Sequence, residues 1–217
     1  MTIRLAVFDC DGTLVDGQAD ICTAMELAFA ETGLATPDRA AVRRIVGLSL
    51  PIAIRNLVPD ASPDLWHMTS EAYKKAFRTM RAEGRLSEPL FPGIAPLLIQ
   101  LAGRGWDLGV ATGKSDRGLR NVLAVHNLSD HFVTLQTADR HPSKPHPAML
   151  EAALGEAGAA PNDSVMIGDT TYDIAMASAA GVRPIGVGWG YHTPDELLAA
   201  GADAVAETPE ELGKLLA

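Results

Sequence analysis

The amino-acid sequence predicts an α/β fold, with a Rossmann-like parallel sheet as its core and an inserted all-helical cap domain. Residues 3–8 are rich in large and β-branched apolar side chains, which is typical of a buried strand. After about residue 94, helical and strand-like segments alternate, which is the rhythm of a parallel sheet. Residues 17–86 show helical periodicity alone. Because a parallel sheet usually continues after a single helix, this stretch indicates an insertion.

Length, composition and charge limit the classes of protein. The chain has 217 residues, 47% of them hydrophobic, which suits one large domain or a core with a smaller insertion. Its formal charge of −9 argues against nucleic acid as a partner, because binding to a phosphate backbone needs clustered Lys and Arg. A small anionic substrate needs only one or two local cations and is compatible with this charge.

Cysteine usage and hydropathy predict a cytoplasmic protein. Cys10 and Cys22 are the only cysteines, so there is no disulfide framework, and a reducing compartment fits. The N-terminus does not read as a leader peptide, and we find no apolar run of about 18 residues that could span a bilayer. We therefore expect no membrane partner, and either a monomer or a homodimer.

The helical insertion divides into helices with recognisable ends. Apolar residues recur at helical spacing over residues 18–31, with Gly33 as the stop and Asp16 as a candidate cap. Cap-then-proline sequences precede helices at 40–45 and from Ser62 toward Gly84, and a short helix ending near Leu57 lies between them. Residues 87–93 have the Pro and Gly content of a return linker. The predicted boundaries are 1–15 and 88–217 for the α/β core and 16–87 for the helical cap.

The rest of the chain continues the sheet. Helices are predicted at residues 94–104, 115–126, 147–157, 172–180, 194–200 and 209–216, and strands at 107–111, 132–136, 164–167, 184–187 and 204–205. Parallel strands place their carboxyl ends at one edge of the sheet, where open α/β proteins bind ligands. Polar clusters that directly follow these strands are therefore candidates for a functional site.

The first cluster is Asp9 and Asp11, directly after the first strand. Alternation along an extended chain places both carboxylates on one side, where they can converge on one ion or substrate. Paired carboxylates repel each other and resist burial, so they usually imply a cation or a shared proton. An Asp-x-Asp pair is also ordinary turn chemistry, but the following Gly-Thr-Leu-Val-Asp makes the stretch more specific.

The second and third clusters offer anion-binding groups. Thr112 lies at a strand end, and Ser115 can cap the next helix, which leaves free backbone N–H groups near Gly113. A nucleotide-binding P-loop is disfavoured, because only three residues separate Gly109 from Gly113 where that motif needs four. Lys144 follows the next strand, and we expect it to begin a helix whose positive end reinforces its charge.

The fourth cluster holds two more acids. Asp169 follows a strand, and Asp173 is one helical turn further on. With Asp9 and Asp11, these residues form a set of oxygen ligands suited to Mg²⁺, with Asp173 holding a coordinated water. Acids at a helix N-terminus can also act simply as partners of the helix dipole. Asp9, Asp11, Asp169 and Asp173 are therefore the candidate ligands of a magnesium ion.

The four clusters, in this order, resemble the motifs of the haloacid dehalogenase-like superfamily, and the insertion resembles that of its small-cap phosphatases. The resemblance implies that Asp9 attacks phosphorus to form an aspartyl-phosphate, and that Asp11 protonates the leaving group and then activates water. It implies that Mg²⁺ is held by Asp9, the Asp11 backbone carbonyl and Asp169. It also implies that the phosphoryl oxygens are bound by residues of the second and third clusters, namely Thr112, Gly113 and Lys144.

The implied activity is a Mg²⁺-dependent phosphomonoesterase acting on a small phosphorylated metabolite. Residues 186–203 are similar to the C-terminal region of the phosphoglycolate phosphatase subgroup. A dehalogenase is disfavoured, because an alkyl halide leaving group needs no proton and Asp11 would have no role. Candidate specificity residues lie in the cap, and they are Arg43, Arg44, Gly47 and Arg55.

Two other functions remain open at this point. A phosphosugar mutase would use the same groups but return the phosphoryl group to a sugar instead of water. A phospho-receiver regulatory domain also places clustered acids, Thr and Lys on a parallel sheet. The receiver is disfavoured because its acceptor would lie on the first strand here, and because a helical cap would obstruct a partner surface.

Overall fold

A parallel β-sheet forms the centre of the molecule. The computed structural model describes residues 2–217, and within them six strands pair in the order β3-β2-β1-β4-β5-β6. The strands are β1 (Arg4–Phe8), β2 (Trp106–Thr112), β3 (Thr134–Thr137), β4 (Ser164–Gly168), β5 (Arg183–Val187) and β6 (Ala204–Ala206). All five pairings are parallel. The predicted α/β class with a parallel sheet is confirmed.

Helices cover both faces of the sheet and fill the insertion between β1 and β2. The insertion contains α1 (Gln18–Glu31), α2 (Arg39–Arg44), α3 (Leu50–Leu57) and α4 (Pro63–Ala82). The helices that follow are α5 (Ile94–Gly103), α6 (Asp116–Val125), α7 (Ala148–Ala157), α8 (Thr171–Ala179), α9 (Pro194–Ala199) and α10 (Pro209–Leu215), with short 3-10 helices at Ser129–His131 and Pro161–Asp163. Within the described residues, no helix has both the length and the apolar character needed to cross a membrane.

Strand β1 illustrates how the sheet is buried on both faces. Successive side chains of a strand point to opposite faces, and those of β1 do so. Phe8 belongs to the cluster that includes Leu98 of α5, whereas Val7 belongs to the cluster that includes Met149 of α7. Because both faces are covered, the strand is a continuous apolar run without alternation.

The helices of the insertion have an apolar core of their own. Buried side chains from α1, α2 and α3 form one cluster, represented by Phe29, Val42 and Ile54. The chain enters and leaves the insertion side by side: Asp16 N donates to Pro89 O at 2.8 Å, and Phe91 N donates to Leu14 O at 3.0 Å. The two connections therefore form a short hydrogen-bonded pair of segments.

Most helix starts agree with the caps in the sequence, and two details differ. The side chains of Asp38 and Ser62 cap α2 and α4. Gly17 is the N-cap of α1, and Asp16 Oδ1 accepts from Gln18 N at 3.2 Å. The expectation that Lys144 begins a helix is wrong, because α7 begins at Ala148.

Candidate active site

All four predicted clusters lie at the carboxyl edge of neighbouring strands. Asp9 follows β1, Thr112 ends β2, Lys144 lies beyond β3, and Asp169 follows β4. Since β1 pairs with β2 on one side and with β4 on the other, the strand order brings these side chains to one place. The chain reverses its winding direction at β1, which is the position where α/β sheets bind ligands.

Asp9 is buried with its carboxylate largely free. Its exposed fraction is 1%, and Oδ1 lies 2.9 Å from Lys144 Nζ. Apart from this ion pair, the two oxygens of Asp9 have no hydrogen-bond partner of standard geometry within residues 2–217. Burial raises the pKa of Asp9 to about 6, while the positive charge of Lys144 opposes the rise and Asp173 adds to it. The lone pairs of Asp9 are therefore available to a ligand.

Lys144 is a buried cation held between two acids. Its Nζ donates to Asp173 Oδ1 at 2.6 Å and lies 2.9 Å from Asp9 Oδ1. Burial alone would lower the pKa of Lys144, but Asp173 and Asp9 outweigh it and raise that pKa above its usual value. Lys144 therefore keeps its charge in the interior, next to the carboxylate predicted to be the nucleophile.

Asp173 orders the start of α8 as well as contacting Lys144. Its Oδ2 accepts from Thr170 N at 3.1 Å and from Thr170 Oγ1 at 2.7 Å, as part of a capping box. Asp173 can therefore cap the helix and serve in the candidate site at the same time. A Cβ on Gly168 would lie 2.3 Å from Asp173 Cγ, so this close packing needs a glycine.

Asp169 is fully buried and held from two sides. Its Oδ1 accepts from Thr13 Oγ1 at 2.8 Å, and its Oδ2 accepts from Tyr191 N at 3.0 Å. A Cβ on Gly12 would lie 2.2 Å from Asp169 Oδ2, and one on Gly190 would lie 2.2 Å from its Cβ. Burial raises the pKa of Asp169 well above its usual value, and the charges of Asp173 and Asp9 raise it further.

Three of the four predicted metal ligands come together. Oxygen atoms of Asp9, Asp169 and Asp173 all lie within 4.8 Å of one another, and all three residues are buried. Lys144 pairs with two of these three buried carboxylates, Asp9 and Asp173, so the group keeps an excess of negative charge that a cation would offset. Oxygen donors of this kind suit Mg²⁺. The carboxylate of Asp11 does not belong to this group, so a metal role for Asp11 would fall to its backbone carbonyl.

Asp11 is instead paired with Lys114, a residue that sequence reasoning missed. Lys114 Nζ lies 2.8 and 2.9 Å from the two oxygens of Asp11 and 2.8 Å from Glu88 Oε1. Burial raises the pKa of Asp11, and the positive charge of Lys114 opposes that rise. Lys114 is part of the Thr-Gly-Lys-Ser stretch at the end of a strand. This position could have marked it as a candidate site residue. Nothing local in the sequence predicts Glu88.

A cavity of about 460 Å³ opens between these groups and the helical insertion. Asp9, Asp11, Thr112 and Gly113 line it on the side of the sheet. The loop before α3 closes against them, since a Cβ on Gly113 would lie 2.6 Å from Leu48 O. The cavity thus brings together Asp9 and Asp11 with Thr112 and Gly113, which are two of the three residues predicted to bind phosphate. The third, Lys144, is buried behind Asp9 and is not part of the lining.

The four predicted specificity residues of the insertion fall in different places. Gly47 lines the cavity, with φ at 95°. Arg44 pairs with Glu196 at 2.9 Å, and Arg55 stacks over the ring of Trp66 at 5.5 Å. Arg43 borders a separate smaller pocket. The three arginines therefore do not line the main cavity.

One family profile and several known proteins match this chain over most of its length. The profile of the haloacid dehalogenase-like hydrolases matches residues 6–187. The protein named "Probable phosphatase IndB" of Dickeya dadantii is 35% identical over 212 residues, which are 96% of this chain and 91% of that protein. A phosphoglycolate phosphatase of Yersinia pestis is 30% identical over 208 residues, which are 94% of this chain and 88% of that protein.

The fold agrees with these sequence matches. A solved structure from Bacteroides fragilis, described as a haloacid dehalogenase-like hydrolase, is 27% identical and superposes with a TM-score of 0.88. The superposition covers 99% of this chain and 100% of that one. The resemblance inferred from the four strand-end clusters is confirmed. By sequence and by fold, the chain belongs to the haloacid dehalogenase-like hydrolase family.

Proposed function

We propose that this hydrolase is a Mg²⁺-dependent phosphomonoesterase that acts on a small phosphorylated metabolite through an aspartyl-phosphate on Asp9. The observation that carries the proposal is the buried carboxylate of Asp9, which forms an ion pair with Lys144 and lies beside the acids Asp169 and Asp173. Its oxygens have no further hydrogen-bond partner of standard geometry within the described residues. A free carboxylate beside a buried cation is suited to attack an anionic phosphate group.

The family and the relatives of this chain support phosphatase activity. The chain is a phosphatase of the haloacid dehalogenase-like family, as its family profile and its phosphatase relatives indicate. Phosphoglycolate is the substrate that the names of several relatives suggest. These names make phosphoglycolate the first metabolite to assay with this chain, and the size and lining of its own cavity decide between phosphoglycolate and other phosphomonoesters.

The residues divide the reaction into two displacements. A carboxylate oxygen of Asp9 forms a bond to phosphorus while the bond between phosphorus and the leaving oxygen breaks. Asp11 donates its proton to that leaving oxygen. In the second displacement, the oxygen of a water molecule forms a bond to phosphorus while Asp11 accepts a proton from that water. The bond between phosphorus and the Asp9 oxygen breaks, which releases inorganic phosphate and regenerates the Asp9 carboxylate. Burial supports the proton-donor role by raising the pKa of Asp11.

The surrounding groups would bind the phosphoryl oxygens and the metal. Thr112 contributes a hydroxyl, Gly113 a backbone N–H and Lys144 a positive charge. Mg²⁺ would be held by Asp9, Asp169 and the backbone carbonyl of Asp11. Asp173 would hold a water molecule coordinated to the ion. When bound, the ion would neutralise negative charge on the phosphoryl group.

The proposal also covers the organisation and setting of the protein. We assign residues 1–15 and 88–217 to the catalytic core and residues 16–87 to a helical cap, in agreement with the separate apolar core of α1 to α4. Cys10 and Cys22 are free and buried, which fits the reducing cytoplasm. The molecule would act as a monomer or a homodimer.

The direct test is Asp9→Asn. We expect the hydrolysis of p-nitrophenyl phosphate with Mg²⁺ to fall about 10³-fold or more, because the amide cannot act as the nucleophile. Acid quenching should trap a phosphorylated wild-type enzyme and leave the variant unlabelled. Circular dichroism should show an unchanged fold, and Asp60→Asn, an exposed substitution in the insertion, serves as the control.

Three results would contradict the mechanism. Undiminished hydrolysis by Asp9→Asn would exclude Asp9 as the nucleophile. Label that stays on the protein without turnover would favour a receiver domain, and transfer from a sugar phosphate to a second sugar position without phosphate release would favour a mutase. Mg²⁺ binding has a separate readout, since it should raise the melting temperature of the wild type more than that of Asp9→Asn.

A further inference from the structure

The cavity at the active site is large compared with phosphoglycolate. Its volume of about 460 Å³ lies in the range of sites that enclose molecules of drug size. A phosphate group bound near Thr112 and Gly113 with a two-carbon acid attached would fill only a small part of this space. The remainder lies on the side of the helical insertion, where the leaving group of a phosphomonoester would be.

The wall of the cavity on that side is apolar. It includes Met25, Val46, Leu48, Leu50, Tyr73 and Phe77. The rings of Tyr73 and Phe77 are neighbours, with centroids 5.1 Å apart. Residues 46–54, which contain the loop that packs on Gly113, carry no charged side chain. The part of the insertion nearest to the reacting groups can therefore bury a hydrocarbon surface.

The cations that line the cavity are either paired with carboxylates or exposed to solvent. Lys114 is held by Asp11 and Glu88, and Arg81 lies 3.6 Å from Glu88. Three further cations that line the cavity are exposed to solvent, namely Lys74, Arg78 and Arg117. A second anionic group on the substrate would meet these three cations only at solvent-exposed positions, where an ion pair contributes little, and it would lose hydration against the apolar wall.

We infer that the substrate is a phosphomonoester with a bulky apolar leaving group, of the size of a ring or a six-carbon chain and without a second anionic group beside the phosphate. This inference rests on the proposed phosphatase function of the same site and names the class of substrate. The apolar group lies against Leu48, Leu50, Tyr73 and Phe77. The phosphate lies at the strand ends.

A series of alkyl phosphates tests the inference. Ethyl, n-butyl and n-hexyl phosphate have leaving alcohols of nearly equal acidity, so that differences in kcat/KM report the burial of the chain. We expect kcat/KM to rise by up to about fourfold per buried methylene, or roughly 200-fold from ethyl to n-hexyl phosphate. 3-Phenylpropyl phosphate should be hydrolysed at least as efficiently as n-hexyl phosphate, and both more efficiently than phosphoglycolate.

A matched pair of variants locates the effect. Leu50 lines the cavity at the start of α3, and Ile52 lies in the same helix but is exposed and outside the cavity. Leu50→Ser should lower the n-hexyl to ethyl ratio of kcat/KM several-fold. Ile52→Ser should leave the ratio at its wild-type value.

The possible results distinguish a wrong leaving group from a wrong enzymatic function. If kcat/KM is flat or falls along the series, or if phosphoglycolate is preferred, the apolar leaving group is excluded and the phosphatase stands. If none of the esters, including p-nitrophenyl phosphate, is hydrolysed, the proposed function fails and the substrate class fails with it. If kcat/KM rises along the series but neither variant changes the n-hexyl to ethyl ratio, the leaving group does not lie against the assigned wall and the inference is wrong.

Discussion

Lys114 lies between two carboxylates that reach it from distant parts of the chain. Asp11 follows β1, whereas Glu88 is in the linker that returns from the helical insertion. The side chains of Lys114, Asp11 and Glu88 are only 9% to 10% exposed. Such a group of charges is stable while it is complete, but losing one member leaves the others buried without a partner.

We predict that Lys114→Met lowers the free energy of unfolding by about 3 to 5 kcal/mol, the usual cost of breaking a buried ion pair. It should also reduce kcat, because the carboxylate of Asp11 loses the contact that orients it. Urea denaturation and steady-state kinetics measure the two effects. Lys75→Met is the matched control, since Lys75 pairs with Glu31 on the surface and is 63% exposed. Equal loss of stability in both variants would refute the prediction.

Most residues of the candidate site could be picked out from the sequence, but their pairing could not. Asp9, Asp169 and Asp173 were predicted as one site, and their oxygens do lie together. Lys114 has an equally visible position after a strand, yet its partner Glu88 is 26 residues away and in a different segment. A contact of this kind depends on where the return linker passes over β2, and no local pattern encodes that path.

At the scale of elements, the contact between the loop before α3 and the turn after β2 is important. A Cβ on Gly113 would lie 2.6 Å from Leu48 O and 2.7 Å from Gly47 O, and both are backbone atoms. Nearby, Ser49 N donates to Ser143 Oγ at 2.8 Å. The helical insertion therefore rests directly on the segments predicted to bind phosphate.

Gly113→Ala should push these two loops apart. A shift of this size at a positioning contact lowers kcat/KM by about tenfold to a hundredfold. The measurement is steady-state kinetics with p-nitrophenyl phosphate. Gly155→Ala is the control, because no heavy atom lies within 4 Å of its added Cβ in α7. We expect it to keep full activity and to stabilise the protein by up to about 1 kcal/mol. Normal activity of Gly113→Ala would contradict the role of this contact.

Helix starts were predictable wherever a side chain caps the first turn, as Asp38, Ser62 and Ser115 do. The start of α7 was not. Lys144 precedes Pro145 and His146 precedes Pro147, and a residue before proline is disfavoured in helical conformation. The helix therefore begins only at Ala148, and the position of Lys144 comes from its contacts with Asp9 and Asp173.

At the scale of the whole molecule, the buried acids make stability depend on pH. Burial raises the pKa of Asp9 from 3.8 to about 6. A raised pKa in the folded state means that folding favours the protonated form. The stability associated with Asp9 is therefore fully present below about pH 4 and is lost as the pH rises through 6. The pKa values of Asp11 and Asp169 are also raised, so both act in the same direction.

Without divalent cations, Asp9→Asn should become more stable relative to the wild type by about 3 kcal/mol between pH 4 and pH 7. The neutral amide is not affected by the ionisation that destabilises the wild type. Urea denaturation of both proteins across this range measures the difference. Mg²⁺ should raise the melting temperature of the wild type more at pH 8 than at pH 5, because protons compete for the carboxylates. A difference that does not vary with pH would count against a raised pKa.

The paired connections at Leu14, Asp16, Pro89 and Phe91 have an evolutionary consequence. Because the chain leaves and re-enters the sheet at adjacent points, the strands close the same way whatever lies between the two connections. An insertion of a different size or shape could replace α1 to α4 at this point without moving Asp9. Descendants of one ancestral sheet could thus exchange their inserted segments, and so acquire new substrates, while inheriting the same chemistry.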